Sequence, residues 1–201
     1  MKTWQKIVLG IALFIVITIF AIFSYIKGSY NSMVRMDEQV TSAWSQVENV
    51  YQRRMDLIPN LVNTVKGYAA HESETFKAIT EARASVGGIK MTPEMLNDPA
   101  AMQKFQQAQQ GLGGALQKLM VVQERYPDLK ANENFLALQS QLEGTENRIA
   151  VERKRFNDAA KQYNTTIRLF PKNMLANMFG FEKKAYFTAT KGADKAPEVQ
   201  F

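Results

Sequence analysis

Residues 7–26 read IVLGIALFIVITIFAIFSYI, a run without one charged side chain. At about 1.5 Å of rise per residue such a run covers roughly 30 Å as a helix, the thickness of a bilayer's hydrocarbon core. Nothing else in the chain could span, so whatever the remaining residues build must follow a single N-terminal transmembrane helix. Trp4, Tyr25 and Tyr30 stand where amphipathic rings favour the two interfaces, and Lys2, Lys6 and Lys27 lie just outside the run. A cleavable signal peptide is the competing reading. The run is longer than the ~7–15 apolar residues of such a signal, and no small-x-small cleavage site follows it. This favours a retained anchor, residues 7–26, behind a short leader, residues 1–6.

Some 175 residues follow the anchor, enough for one helical domain with a real core. Taking the two leader lysines from the 25 basic residues leaves 23 against 19 acidic ones, a balance of +4. That mild excess suits an anionic membrane surface and falls far short of the dense basic stripe of a nucleic-acid binder. The chain has no Cys, which excludes disulfides, thiolate ligands and cysteine nucleophiles. Orientation is weakly written, with Lys2 and Lys6 before the span against Lys27 and Arg35 after it. Asp37 and Glu38 break the tie slightly, placing the leader inside and the domain outside the cytoplasm.

Lys27, Gly28, Ser29, Tyr30 and Asn31 read as a juxtamembrane break, because Gly and the Ser/Asn pair oppose helix propagation. A second helix is then expected from about Ser32. Its apolar row steps by seven through Met33, Val40, Val47, Leu61 and Tyr68, with Trp44, Tyr51, Ile58 and Val65 alongside, a coiled-coil-like seam. Arg54 interrupts the first row, and a basic group there needs a carboxylate or must snorkel out. Both rows pass Pro59 in phase, which favours one kinked helix to about Ala70; a tight hairpin at Ile58 and Pro59 is the alternative. A shorter helix is expected from His71 to Val86, stopped by Gly87 and Gly88, then a loop over residues 87–99.

Residues 100–126 resume with Phe105, Leu112, Leu119 and Tyr126 at sevens. Asn132 or Asn134 can cap a last helix of about forty residues, roughly 60 Å long. Its row is Phe135, Leu142, Ile149, Phe156, Tyr163 and Phe170, and Phe170 with Pro171 closes it. Glu146, Glu152 and Arg153 lie at or beside this seam and are natural partners for Arg53 and Arg54. The fold class is all-α: the anchor, then an elongated up-and-down four-helix bundle over residues 30–171.

Few chemistries fit. His71 is the only histidine and makes, with Glu72, half of a zinc-hydrolase motif whose second His is absent. A helical di-iron site needs two Glu-x-x-His units. Gly111, Gly113 and Gly114 lack the preceding strand and the Gly-Lys-Ser/Thr of a phosphate loop. No Gly-x-Ser-x-Gly occurs. No metal, cofactor or nucleic acid is expected.

These residues resemble the LemA family. The most distinctive segment is Arg53, Arg54, Met55, Asp56, Leu57, Ile58, Pro59, Asn60, Leu61 and Val62. Further similarity lies in residues 65–69, His71 and Glu72, residues 82–84, Tyr126 to Asn132, Glu146, Ile149, Arg153, Asn157, Asn164, and Phe170 with Pro171. Family members often carry Tyr where this chain has Phe156. The resemblance implies a membrane-anchored bacterial helical bundle, single-pass in the cell (inner) membrane. It also implies an accessory or scaffold role without an established reaction.

Two functions follow as expectations. The first is a non-enzymatic scaffold that organises or recruits membrane proteins, its interaction motif Arg53, Arg54, Asp56, Pro59, Asn60, Glu146, Glu152, Arg153 and Asn157. Lipid and membrane proteins are then the partners, and a homo-oligomer is left open. The alternative is an enzyme or enzyme subunit using the Arg53/Arg54/Asp56 and Glu146/Glu152/Arg153 cluster. Residues 172–187 read as an amphipathic membrane-surface segment through Lys172, Met178, Phe179, Phe181, Lys183, Lys184 and Phe187, with capping of the open bundle end as the competing role. Residues 188–201 read as a disordered tail.

Overall fold

A computed structural model describes residues 3–90 and 92–188. Met1 and Lys2 of the leader, and the tail beyond Thr188, lie outside the described residues. The elements are α1 (Thr3–Lys66), α2 (Ser73–Gly87), a 3-10 turn (Pro93–Asn97), α3 (Pro99–Val122), a second 3-10 turn (Gln123–Arg125), α4 (Pro127–Lys130), α5 (Glu133–Thr166) and α6 (Lys172–Phe179). The described residues contain no strand.

The expected break after the span does not form, because α1 runs unbroken from Thr3 to Lys66. Gly28 costs the helix about 1 kcal/mol and Ser29 and Asn31 less. Packing outweighs that: Ser29 and Met33 are buried, and Tyr30 lies edge-on to Phe179 and Phe181 at ring distances of 4.9 and 5.7 Å. Pro59 does not end the helix either, which excludes the hairpin. A proline inside a helix costs about 3 kcal/mol. Leu57, Ile58, Leu61 and Val65 are all buried around it, at about 1.5–3 kcal/mol each. The N-terminal residues of α1, among them Leu9, Phe14, Ile17 and Phe20, remain exposed and apolar, and this helix is long and apolar enough to cross a membrane.

α5 runs antiparallel to α1 in constant register. Tyr68 meets Asn132, Arg54 meets Glu146 and Trp44 stacks edge-on with Phe156, so level positions on the two helices sum to 200. The Asn132 side chain caps α5 by accepting from Phe135 N at 2.9 Å. The helix ends at Thr166 rather than at Phe170. Phe170, expected to continue the core row, is 81% exposed.

The expected four helices do not have equal reach. α2 has 15 residues against 34 in α5, so it covers about 22 Å of a side some 50 Å long. It closes the half distant from the span, packing Phe76, Ile79 and Val86 with Ile58, Leu61, Leu112, Leu119 and Phe135. In the half nearer the span its place is taken by two other pieces. One is the 3-10 turn, which buries Met95 and Leu96; the other is an extended strap, residues 181–188, which buries Ala185 and Phe187.

Candidate functional site

The two apolar halves meet at a polar layer. On α1 it is Arg54, between Tyr51 and Ile58; on α3 it is Gln109, between Phe105 and Leu112; on α5 it is Thr145 and Glu146, between Leu142 and Ile149. Arg54 is 8% exposed and its Nη1 lies 3.2 Å from Glu146 Oε2, whose side chain is 60% exposed. One end of this pair is therefore dry and the other wet. α3 makes room for the guanidinium with a glycine, since a Cβ on Gly113 would stand 3.2 Å from Arg54 Nη2. Both Gln109 amide atoms are buried without a hydrogen-bond partner among the described residues. Tyr51 sits at the layer's edge. Burial pushes its pKa up, while Arg153 and Arg54 pull it down and Glu146 raises it.

The strap is held by a pair of asparagines. Asn164 Nδ2 donates to Lys184 O and Lys184 N donates back to Asn164 Oδ1, both at 2.8 Å. Asn157 repeats the pattern with Phe187 O and N, both at 2.9 Å. Each amide thus makes the paired donor and acceptor contacts that a neighbouring strand residue would make. The spacings agree: seven residues of helix rise about 10.5 Å, and three residues of extended chain rise about 10 Å. Thr188 N donates to Gln106 Oε1 at 3.1 Å, which ties the strap to α3 as well. Phe187 is buried against Trp44, Phe105 and Phe156, and the Arg153 guanidinium covers its ring at 4.6 Å. Lys184 Nζ lies 2.8 Å from Asp37 Oδ1 on α1.

Lys184 and Phe187, expected at a membrane surface, therefore face the bundle. The physical reason is the short α2, which leaves a groove the strap fills. Phe179 and Phe181 pack on Tyr30, whereas Lys183 and Met178 point outward and Lys172 is half-buried. Left-handed Gly180, with φ of 74°, turns the chain from α6 into the strap.

The six charged groups of the alternative reading converge only in part: Arg54, Glu146 and Arg153 all act on Tyr51, while Arg53, Asp56 and Glu152 are engaged elsewhere. Arg54 and Glu146 line an open cleft of about 230 Å³ walled by Leu116, Met120 and Leu142. Arg53 donates to Gln141 Oε1 at 2.9 Å and lines a separate groove with Arg148. Asp56 accepts from Gln52 on the exposed side of α1, Glu152 pairs with Arg155, and Arg153 belongs to the strap. Pro59 is inside α1, and exposed Asn60 offers its carbonyl to Thr64. Sequence reasoning missed Gln106, Gln109 and Gly113 as functional positions. A signal for the asparagine pair existed in Asn157 and Asn164 lying seven apart, each one residue after a member of the apolar row. Among the described residues no three His, Cys, Asp or Glu side chains gather as metal ligands.

Comparison with known proteins places these features in context. The LemA family model matches residues 43–201. The chain is 30% identical to magnetosome protein MamQ of Magnetospirillum gryphiswaldense, over 89% of this chain and 72% of that protein. It is 29% identical to magnetosome protein MamQ 2 of Paramagnetospirillum magneticum with the same shares. Protein LemA of Metamycoplasma hominis is 25% identical over 89% of this chain and 78% of its own length.

Proposed function

The chain belongs to the LemA family, and we propose that it is a membrane-anchored, non-enzymatic scaffold or accessory protein that organises or recruits membrane proteins. In this reading residues 7–26 cross the cell membrane once, the leader is cytoplasmic and the bundle stands outside the cytoplasm. The observation that carries it is α1, one helix whose N-terminal part is exposed and apolar and whose remainder is the spine of the bundle. Polar side chains support the same side of the choice, since Asn157, Asn164, Gln106 and Lys184 are spent on holding the chain's own strap. The MamQ relatives carry in their names a structure, the magnetosome, rather than a reaction.

The test is cross-linking in native membranes followed by purification of the full chain in mild detergent. Integral membrane proteins should be recovered in fixed proportion to the chain, and the chain should stay in the membrane through an alkaline carbonate wash. Recovery of the chain alone after efficient cross-linking would remove the recruiting role, and release by carbonate would remove the anchor.

A further inference from the structure

The base of the bundle carries apolar side chains that the described residues leave exposed: Leu169, Phe170, Met174 and Met178, at 57, 81, 63 and 63% exposure. We propose that this base is a bilayer-contacting surface, with α6 lying along the interface as a second, non-spanning membrane contact. The inference rests on the anchored reading of residues 7–26.

Height along α1 is the first argument. The apolar run ends at Ile26, and Tyr30 stands about 6 Å beyond it on the same unbroken helix. The register of α1 and α5 puts Thr166, where α5 ends, level with Val34, and Leu169 N still bonds back to Thr165 O at 3.2 Å, so Leu169 stays within about one turn of that height. α6 starts directly after that point, and its last residue, Phe179, touches Tyr30 at 4.9 Å. Both ends of α6 therefore lie near the same height, and this helix of about 12 Å crosses the base instead of following the bundle axis.

Direction is the second. At 100° per residue, Met174 and Met178 each lie within about 20° of the point opposite Ala176. Ala176 is buried in the cluster that holds Met33, Val40 and Ala160, with Leu175 packed on the same cluster. The core lies above α6, away from the span, so the two methionines face the side from which the span emerges. Chemistry agrees with position. Residues 168–183 hold Arg168, Lys172 and Lys183 against the single acid Glu182, Lys184 being spent on Asp37, and basic groups around an apolar face favour anionic headgroups. Unbranched methionine and aromatic Phe170 fit the irregular boundary between headgroups and chains.

The absence of Cys from the sequence makes the test direct. Single-cysteine variants Phe170→Cys, Met174→Cys and Met178→Cys of the full chain are spin-labelled in vesicles of phosphatidylcholine with phosphatidylglycerol. Collision with oxygen, enriched in lipid, is compared with collision with a water-soluble nickel chelate. Phe14→Cys reports the span, and Leu136→Cys, level with position 64, reports water. The expected oxygen-to-nickel ratio at 170, 174 and 178 is several-fold above that at 136. A lipid value at Phe14 with water values at the base would overturn the proposal and leave the anchor standing. A water value at Phe14 would instead overturn the anchored reading beneath it. Base labels shielded from both reagents would assign the surface to a second copy of the chain and also overturn the proposal.

Discussion

Replacing Asn157 by Ala removes one amide tie of the strap without touching the apolar core. The two hydrogen bonds to Phe187 are worth about 0.5–1.5 kcal/mol each. Phe187 is buried, so stranding its N–H and C=O adds at least about 1 kcal/mol. Alanine is the better helix former by about 0.6 kcal/mol, which offsets part of the loss. The net expectation is about 2–3 kcal/mol, or a fall in Tm of roughly 4–12 °C for a domain of this size. Thermal unfolding followed by far-ultraviolet circular dichroism measures it. Limited trypsin digestion localises it, because the Lys184 side chain is held between Asp37 and the Tyr163 ring in the intact strap. The variant should be cut after Lys184 much faster than the parent. Combining it with Asn164→Ala should cost less than the sum of the two, since both hold the same segment. A variant that melts with the parent and resists trypsin equally would refute the paired-amide argument, and strictly additive losses would show that the two amides act independently.

Two more outcomes follow from the polar layer and the tyrosines. Arg54→Ala should lose about 2 kcal/mol through lost packing against Gly113 and Glu146, whereas Arg54→Met, which fills the same space without charge, should melt within about 0.5 kcal/mol of the parent or above it; equal losses would show that the ion pair, not packing, matters. Burial chiefly holds the pKa of both Tyr51 and Tyr163 above the ordinary range, with Asp37 and Glu182 adding to the rise at Tyr163. A raised folded-state value stabilises the fold below the unfolded pKa of about 10 and is lost as pH climbs through the folded values. Tyr51→Phe and Tyr163→Phe should therefore each remove tyrosinate absorbance that develops above about pH 10 in the parent; variants whose difference from the parent develops at or below about pH 10 would contradict this.

The seven-residue rows made the long helices legible, and Arg54 made its own partner legible, since α5 is the element with a carboxylate at that level. The break at Gly28 was misread because local propensity is worth about 1 kcal/mol there and the packing of Tyr30 on α6 is worth more. The strap was misread for a different reason. Its aromatics and lysines have the composition of an interfacial helix, and its inward positions, Phe181, Lys184, Ala185 and Phe187, with Glu182, Lys183 and Tyr186 outward, have a spacing as close to a helix's i, i+3, i+4 as to strict alternation. That spacing decides nothing until the groove is known, and the groove exists only because α2 is less than half as long as α5. Gln109 gave no signal, since its neighbours Gln106, Gln107 and Gln110 are also glutamine and nothing in the sequence sets it apart.

If residues 7–26 cross the bilayer as proposed, the continuity of α1 past Gly28 has a mechanical meaning. A chain with a hinge at Gly28 would let its outer part swivel freely over the lipid. Here the 64 residues of α1 form a single rod of roughly 96 Å, so tilt of the buried segment is transmitted to the far tip. With some 60 Å of rod beyond Ile26, a tilt of about 10° sweeps the tip sideways by about 10 Å. Bilayer thickness, which sets the tilt of a span, would then set where the outer end of the molecule points.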